Sequence, residues 1–196
     1  MLLTEKLKGW KVVLVSQSPR RRELLAGLEI EFTATSIDTD ERYPENLSGA
    51  QIPTYIAEQK AAAYQPLLHD KQLAITADTV VICNDRVLGK PKTREEAVEM
   101  LHALQGNTHK VITGVCLLSL QKTRSFHAIS EVTFAPLTDE EIAHYIDRYR
   151  PFDKAGSYGV QEWIGFIGIE KLVGSYYNVM GLPTHRLYKE LKAFLA

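Results

Sequence analysis

A short apolar run, Val12 to Val15, passes directly into a polar turn and then into a helical pattern. This strand–turn–helix passage is the frame for the rest of the chain. Ser18 stands where a helix N-cap belongs and Pro19 where the first helical residue belongs. Arg20, Arg21 and Arg22 then crowd the first turn. A bare helix start already carries partial positive charge, so three cations there are electrostatically misplaced. A bound anion reverses the sign. Backbone N–H groups, serine hydroxyls and guanidinium forks would then converge on one oxyanion. The alternative is that the arginines are solvated and Glu23 offsets part of the repulsion. The residues alone do not identify the anion.

Net charge sharpens this reading. The 196-residue chain carries a formal charge of −1, so no global field draws it to nucleic acid or to an anionic membrane. A polyanion must be met by a local cluster. With 45% hydrophobic and 24% charged residues, the chain can bury a core without staples. Cys83 and Cys116 lie in apolar, strand-like runs and read as small core hydrophobes, with no disulfide framework and no zinc spacing. Met1 to Gly9 is short and mixed, unlike a signal peptide, and no apolar run approaches the roughly 20 residues of a membrane span. A reducing cytoplasm is the expected compartment.

Along the chain, Trp10–Ser16 reads as a strand and Pro19–Leu28 as a helix with Leu24, Leu25 and Leu28 on one face. Ile30–Ile37 reads as a second strand, and Asp38–Gly49 as an acidic loop. Pro53–Leu68 reads as a helix opened by its proline, with Pro66 disturbing the last turn. Leu73–Cys83 is the strongest strand pattern, followed by a hairpin over Asn84 and Asp85 into Arg86–Leu88. Thr93 and Glu96, and again Thr138 and Glu141, have capping-box spacing and open helices to Gln105 and Tyr149. Between them, Lys110–Leu120 and Ser125–Ala135 read as neighbouring antiparallel strands. The glycine-punctuated stretch from Pro151 to Gly181 reads as short strands mixed with tight turns or close backbone approaches, and Pro183 begins a last helix to about Phe194. With no repeat or linker, residues 1–196 read as one mixed α/β domain, in one lobe or two.

Asp78 is the sharpest chemical signal, a carboxylate among the small and apolar residues Ile75 to Val81. Buried without partners it would be costly, so it has a cation or metal beside it, or it ends the strand at a cleft. The bland alternative ties it to backbone N–H groups. Asp38, Asp40 and Glu41 open the acidic loop and read either as a solvated cluster or as metal ligands. Lys60 reads as a helix lysine, and Lys90, between Gly89 and Pro91, as a cation on a rigid turn. Gln161, the one amide between Gly159 and Gly165, has the paired donor and acceptor that read a base edge. Together these parts suit a phosphate ester with a divalent ion and direct attack by water. No arrangement suggests a covalent nucleophile.

The residues Ser16-Gln17-Ser18-Pro19-Arg20-Arg21, Ala77-Asp78-Thr79, Gly89-Lys90-Pro91, and His109 with Thr113-Gly114-Val115 resemble the Maf (septum formation inhibitor-like) nucleotide pyrophosphatases. So do Asp153 through Gln161, and Gly174-Ser175-Tyr176 through Gly181-Leu182-Pro183. The matches keep family order across nearly the whole chain. The resemblance implies an α/β fold like the inosine triphosphate pyrophosphatases: a long, bent mixed sheet flanked by helices, with a cleft between two lobes. It implies hydrolysis of a nucleoside triphosphate to monophosphate and pyrophosphate with Mg²⁺ or Mn²⁺. It assigns Asp78 as proton acceptor or metal ligand, and Arg20, Thr79 and Gln161 as specificity positions. Ser16, Arg21, Lys60 and Lys90 fall to phosphate, and Glu41 to the metal. The stretch from Asp153 to Gln161 resembles the subfamily acting on dTTP, UTP and modified pyrimidine triphosphates, as against the sister group that prefers 7-methyl-GTP. A homodimer is also suggested. A nucleotide-sensing regulator of septum formation with little turnover is the competing function. Two departures stand out: Gln17 replaces a small residue, and Glu162-Trp163-Ile164 replaces a glycine-rich continuation.

Overall fold

The computed structural model describes residues 1–196 and starts with a single helical turn, α1 (Leu3–Lys6). Strand β1 (Lys11–Val15) follows, then α2 (Pro19–Ala26), β2 (Phe32–Thr35) and α3 (Gln51–Tyr64). Next come β3 (Gln72–Cys83), β4 (Arg86–Leu88), α4 (Arg94–Leu104), β5 (Thr108–Leu118) and β6 (Thr123–Phe134). Helices α5 (Asp139–Tyr149) and α6 (Trp163–Gly168), strand β7 (Ile169–Val173) and helices α7 (Tyr176–Met180) and α8 (Thr184–Phe194) complete the chain. The seven strands form a mixed sheet in the order β2-β1-β3-β5-β6-β7, with β4 paired to β3. Parallel pairing joins β1 to β2 and β3, and antiparallel pairing joins β3 to β4 and β6 to β7. No helix is long and apolar enough to cross a membrane.

Local chemistry sets most boundaries. The hydroxyl of Ser18 accepts from the Arg21 N–H, and Pro19 fills the first helical position. Thr93 and Thr138 cap α4 and α5 through their hydroxyls, and α5 has the full reciprocal box with Glu141. Asn84 and Asp85 both adopt positive φ, 48° and 61°, which suits the tight hairpin between β3 and β4. Two expectations are corrected. Helix α3 begins at Gln51, so Pro53 sits inside its first turn, where a missing N–H leaves no bond unmade. The stretch from Pro151 to Gly181 holds only one strand and is otherwise helical turns, because its glycines serve close backbone approaches more than strand ends. A Cβ on Gly165 would lie 2.0 Å from the Val160 carbonyl oxygen.

The contacts divide the chain into two compact units. The first holds Met1–Asp78, Thr113–Ala128 and Gly181–Ala196. Its core includes Val13 and Val15 of β1, Ala57, Ala61 and Tyr64 of α3, Ala74 of β3, and Cys116 and Leu118 of β5. Small residues on α3 let it lie close to the sheet. Gly114 carries this to the limit, since a Cβ there would fall 2.4 Å from the backbone of Pro53 and Thr54. Gly114→Ala forces backbone apart, and the expected loss is about 3 kcal/mol or failure to accumulate soluble protein, read by urea unfolding.

The second unit holds Thr79–Ile112 and Ile129–Met180. Its core gathers Val81, Leu101, Leu104, Phe134, Tyr145, Ile146, Tyr158 and Ile164. His109 is buried in it, stacked on Phe134 and hydrogen-bonded through Nε2 to the Tyr158 hydroxyl at 2.7 Å. Burial lowers its pKa from 6.5 to about 4. The folded state therefore holds neutral imidazole, while the unfolded chain takes up a proton below 6.5. Stability falls as pH drops through that window, by about 3 kcal/mol once pH reaches 4. His109→Gln removes this slope, and denaturant unfolding at stepped pH will show a flatter profile than wild type.

Candidate active site

In the first unit, Lys60 projects from α3 between two carboxylates. Its ammonium lies 2.9 Å from Asp78 Oδ1 and 2.7 Å from Glu41 Oε1. Asp78 and Lys60 side chains are each 13% exposed, whereas Glu41 is 47% exposed. Asp78 sits where β3 leaves the buried run Leu73 to Ala77 and becomes half-buried. The cation that the sequence demanded beside Asp78 is therefore Lys60. Asp40 instead pairs with Arg42, and both are well exposed. Of the acidic loop, Glu41 is thus the member that reaches the cluster.

Arg21 joins the same field. Its Nε donates to the Gly181 carbonyl at 2.8 Å, which fixes the guanidinium's direction. Burial holds its pKa below the ordinary arginine value, and the charge of Arg20 adds to this, while the carboxylates of Asp78 and Glu41 oppose it. It stays charged at neutral pH. Gly181, with φ 120°, supplies a carbonyl that no sequence argument about side chains could have found.

The turn before α2 differs from the expected cradle of open backbone donors. The Ser18 N–H donates to Ser16 Oγ at 3.2 Å, the Arg21 N–H to Ser18 Oγ at 3.4 Å, and the Arg22 N–H to the Ser18 carbonyl. Ser16 is buried, and its own N–H donates to the Thr35 carbonyl. The serine oxygens accept from N–H groups of the turn itself and keep their O–H hydrogens to donate, so the donors left for an anion here are hydroxyl and guanidinium groups. Arg20 and Arg21 are half-buried and Arg22 is exposed, which singles out the first two.

Whether a divalent cation suits these residues is decided by the donor set. Glu41 and Asp78 present carboxylate oxygens to one positive centre, now the Lys60 ammonium. Hard oxygen donors suit Mg²⁺ or Mn²⁺, and Mg²⁺ commonly takes one or two carboxylates and completes its shell with water and phosphate oxygens. No group of three or more His, Cys, Asp or Glu converges anywhere in the structure, so any such ion depends on substrate oxygens. The residues fit a metal of this kind.

The remaining candidates belong to the second unit. Thr79 is half-buried on β3, and Lys90 is exposed after β4. Gln161 is half-buried, and its Oε1 is shut from solvent with no hydrogen-bond partner. Near it in the chain lies a polar group whose pairing the sequence did not foretell. Lys154 is 8% exposed and pairs with Asp153 at 2.8 Å and with Glu162 at 3.1 Å. The Tyr145 hydroxyl donates to the other Glu162 oxygen and accepts from the Gly159 N–H. Burial, and then the bond and charge of Glu162, push the Tyr145 pKa far up, which keeps it a donor.

Comparison with known proteins places these residues in context. The model of the Maf-like protein family matches residues 11–194. A Parabacteroides distasonis relative, named dTTP/UTP pyrophosphatase, is 55% identical over 193 residues, covering 98% of this chain and 100% of its own. A Porphyromonas gingivalis relative of the same name is 55% identical over 195 residues, covering 98% of each chain. Among solved structures, the Staphylococcus aureus Ham1 protein matches with a TM-score of 0.50 at 16% identity, over 94% of this chain and 99% of that one, a likeness of fold.

Removing the central cation leaves Glu41 and Asp78 in mutual repulsion. Lys60→Ala is expected to lose about 2 kcal/mol at neutral pH, less than for a fully buried pair because Glu41 is half in water. Mg²⁺ should raise Tm more in the variant than in wild type. A variant that gains nothing from Mg²⁺ would count against the two carboxylates as metal ligands.

Proposed function

Because the chain belongs to the Maf-like protein family, we propose that it is a pyrophosphatase cleaving dTTP and UTP to the monophosphate and pyrophosphate, clearing surplus or modified pyrimidine nucleotides. The observation that carries the chemistry is the gathering of Glu41, Lys60 and Asp78 in the electrostatic field of Arg21. The choice of base is supported by the name that the 55%-identical relatives share. The cytoplasm, which holds the nucleotide pool, is the compartment this reading requires.

The attacking water forms a bond to the α-phosphorus as the bond from that phosphorus to the α–β bridging oxygen breaks. Pyrophosphate leaves with the electron pair, and the water's proton passes to the Asp78 carboxylate. Lys60 holds Asp78 Oδ1 and so fixes the rotation of that carboxylate. Arg20, Arg21, Lys60 and Lys90 are the groups assigned to triphosphate charge, with Ser16 shaping the turn that carries the arginines. A divalent cation held by Glu41, Asp78 and phosphate oxygens would polarise the attacked phosphate as a Lewis acid. Gln161, with Thr79, is assigned to the base. Uracil and thymine share an N3–H flanked by two carbonyls, and a carboxamide matches that edge with Oε1 accepting and Nε2 donating.

Pyrophosphate release with Mg²⁺ or Mn²⁺, over dTTP, UTP, CTP, GTP, 7-methyl-GTP and ITP, tests the reading. Turnover should be led by dTTP and UTP. Asp78→Asn should lower kcat by about 100-fold or more while leaving nucleotide binding largely intact. A purine preference would discard the base assignment. Binding without release from any nucleotide would replace the enzyme with a sensor.

A further inference from the structure

An ion pair to lysine does not by itself fix the backbones that carry it. The flexible stem lets an ammonium meet a carboxylate over a range of helix placements. A carboxylate that takes a proton from one water tolerates far less play. Something besides the Lys60–Asp78 pair has to set how α3 lies along β3.

Packing between the two elements fixes their separation better than their register. Ala74 of β3 shares a core group with Ala57 and Ala61 of α3, so this face of the strand is turned to the helix. Alternation along the strand puts Thr76 and Asp78 on the same face. On the helix, Ala57, Lys60 and Ala61 stand at spacings of three and four and share one side. Methyl against methyl is a smooth contact, and dispersion has no preferred direction. Gly114 lets Pro53 and Thr54 approach, which again sets a distance.

Thr76 supplies the direction. It is fully buried, and its Oγ1 donates to the Ala57 carbonyl at 2.6 Å. A carbonyl oxygen has two lone pairs, so a helical carbonyl accepts this second donor without giving up its place in the helix. The hydroxyl lies two residues before Asp78 on the strand, and its acceptor lies three residues before Lys60 on the helix. Strand and helix are thus joined by two successive rungs, Thr76 to Ala57 and then Asp78 Oδ1 to Lys60 Nζ at 2.9 Å. The first rung is dry and ends on backbone, with no long stem to flex. The second ends on the most flexible cation the chain can offer.

We propose that Thr76 is a positioning residue: its bond to the Ala57 carbonyl sets the register of α3 on β3 and so delivers the Lys60 ammonium to Asp78. It acts through Lys60 and touches no reacting atom. The consequence for turnover rests on the reading of Asp78 as proton acceptor.

Thr76→Val keeps the branched shape and drops the hydroxyl, and Thr76→Ser keeps the hydroxyl and drops the methyl. Pyrophosphate release from dTTP is measured for each, with kcat normalised to the stoichiometry of nucleotide binding so that misfolded chains do not count. Thr76→Val should lower kcat about tenfold with KM within about threefold of wild type, and Thr76→Ser should restore kcat to within about threefold. An unchanged kcat in the valine variant, or a serine variant as poor as the valine one, overturns the proposal. In a Lys60→Ala background, Thr76→Val should cost less than about twofold more, because no ammonium is left to place. A full further loss there marks a merely structural role and overturns it. The same cycle is read without turnover by urea unfolding. Lys60→Ala should shift the midpoint by less than about half as much in Thr76→Val as in wild type, and additive shifts overturn the proposal. If wild type releases pyrophosphate from no nucleotide, the reading of Asp78 fails, and the urea cycle still decides whether Thr76 places Lys60.

Discussion

The first unit depends on one cation. Asp78 sits at the end of a strand segment whose residues, Leu73 to Ala77, are fully buried, and Glu41 arrives from a loop with no secondary structure of its own. Both carboxylates settle on the Lys60 ammonium. Without it they would repel each other in a half-dry environment. The position of Lys60 is itself inherited. It rides on α3, which approaches the sheet closely because Ala57 and Ala61 are small and because Gly114 of β5 has no side chain to hold Pro53 and Thr54 away. A glycine on a strand, an alanine face on a helix and a lysine two turns along that helix are one device. Its product is a pair of carboxylate oxygens held at a fixed separation around a positive charge.

Two cations of this unit, Lys60 and Arg21, differ in how tightly they are held. The ammonium that balances the carboxylates in the protein alone is a mobile charge on a flexible stem, unlike the guanidinium of Arg21, which is tied to the Gly181 carbonyl. Lys60 is placed to keep Asp78 oriented, while Glu41 is the more exposed of its two partners. Arginine stays where it is and supplies a fixed positive field. Fixed and adaptable cations in one unit suit a reaction in which charge develops on the bridging oxygen of the departing pyrophosphate.

Much of this was legible because local rules and tertiary needs agreed. Ser18-Pro19, Thr93 and Thr138 start helices in the structure as their chemistry requires, and Asn84-Asp85 turns the hairpin. The need of Asp78 for a partner followed from its apolar neighbours, though nothing local chose Lys60, 18 residues away, over other cations. The expected cradle of backbone donors failed for a physical reason. Ser16 and Ser18 have hydroxyls that reach the same N–H groups an anion would need, and a hydroxyl already in the chain wins. The stretch from Pro151 to Gly181 has the close backbone approaches its glycines led one to expect but one strand instead of several, since a glycine marks a close contact as readily as the end of a strand. The pairing of Lys154 and Tyr145 with Glu162 was not legible for a similar reason: a lysine and a glutamate in a loop read as solvated until the core around them is known.

The second unit shows why an orphaned polar atom is not by itself a sign of function. His109 Nδ1 and Ser157 Oγ are buried without partners, as Gln161 Oε1 is. The histidine lies against the rings of Phe134 and Tyr158, and its neutral form is tolerated there because the other nitrogen is bonded. Ser157 is held by its place in a turn with φ 60°, between Lys154 and Tyr158, and its hydroxyl is small enough to be carried at modest cost. Gln161 is different in kind. Its donor end lies over the same glycine as a carboxylate that is itself doubly anchored. Its acceptor end is shut from solvent within the same fold. An isolated unsatisfied group is a defect that a core can absorb.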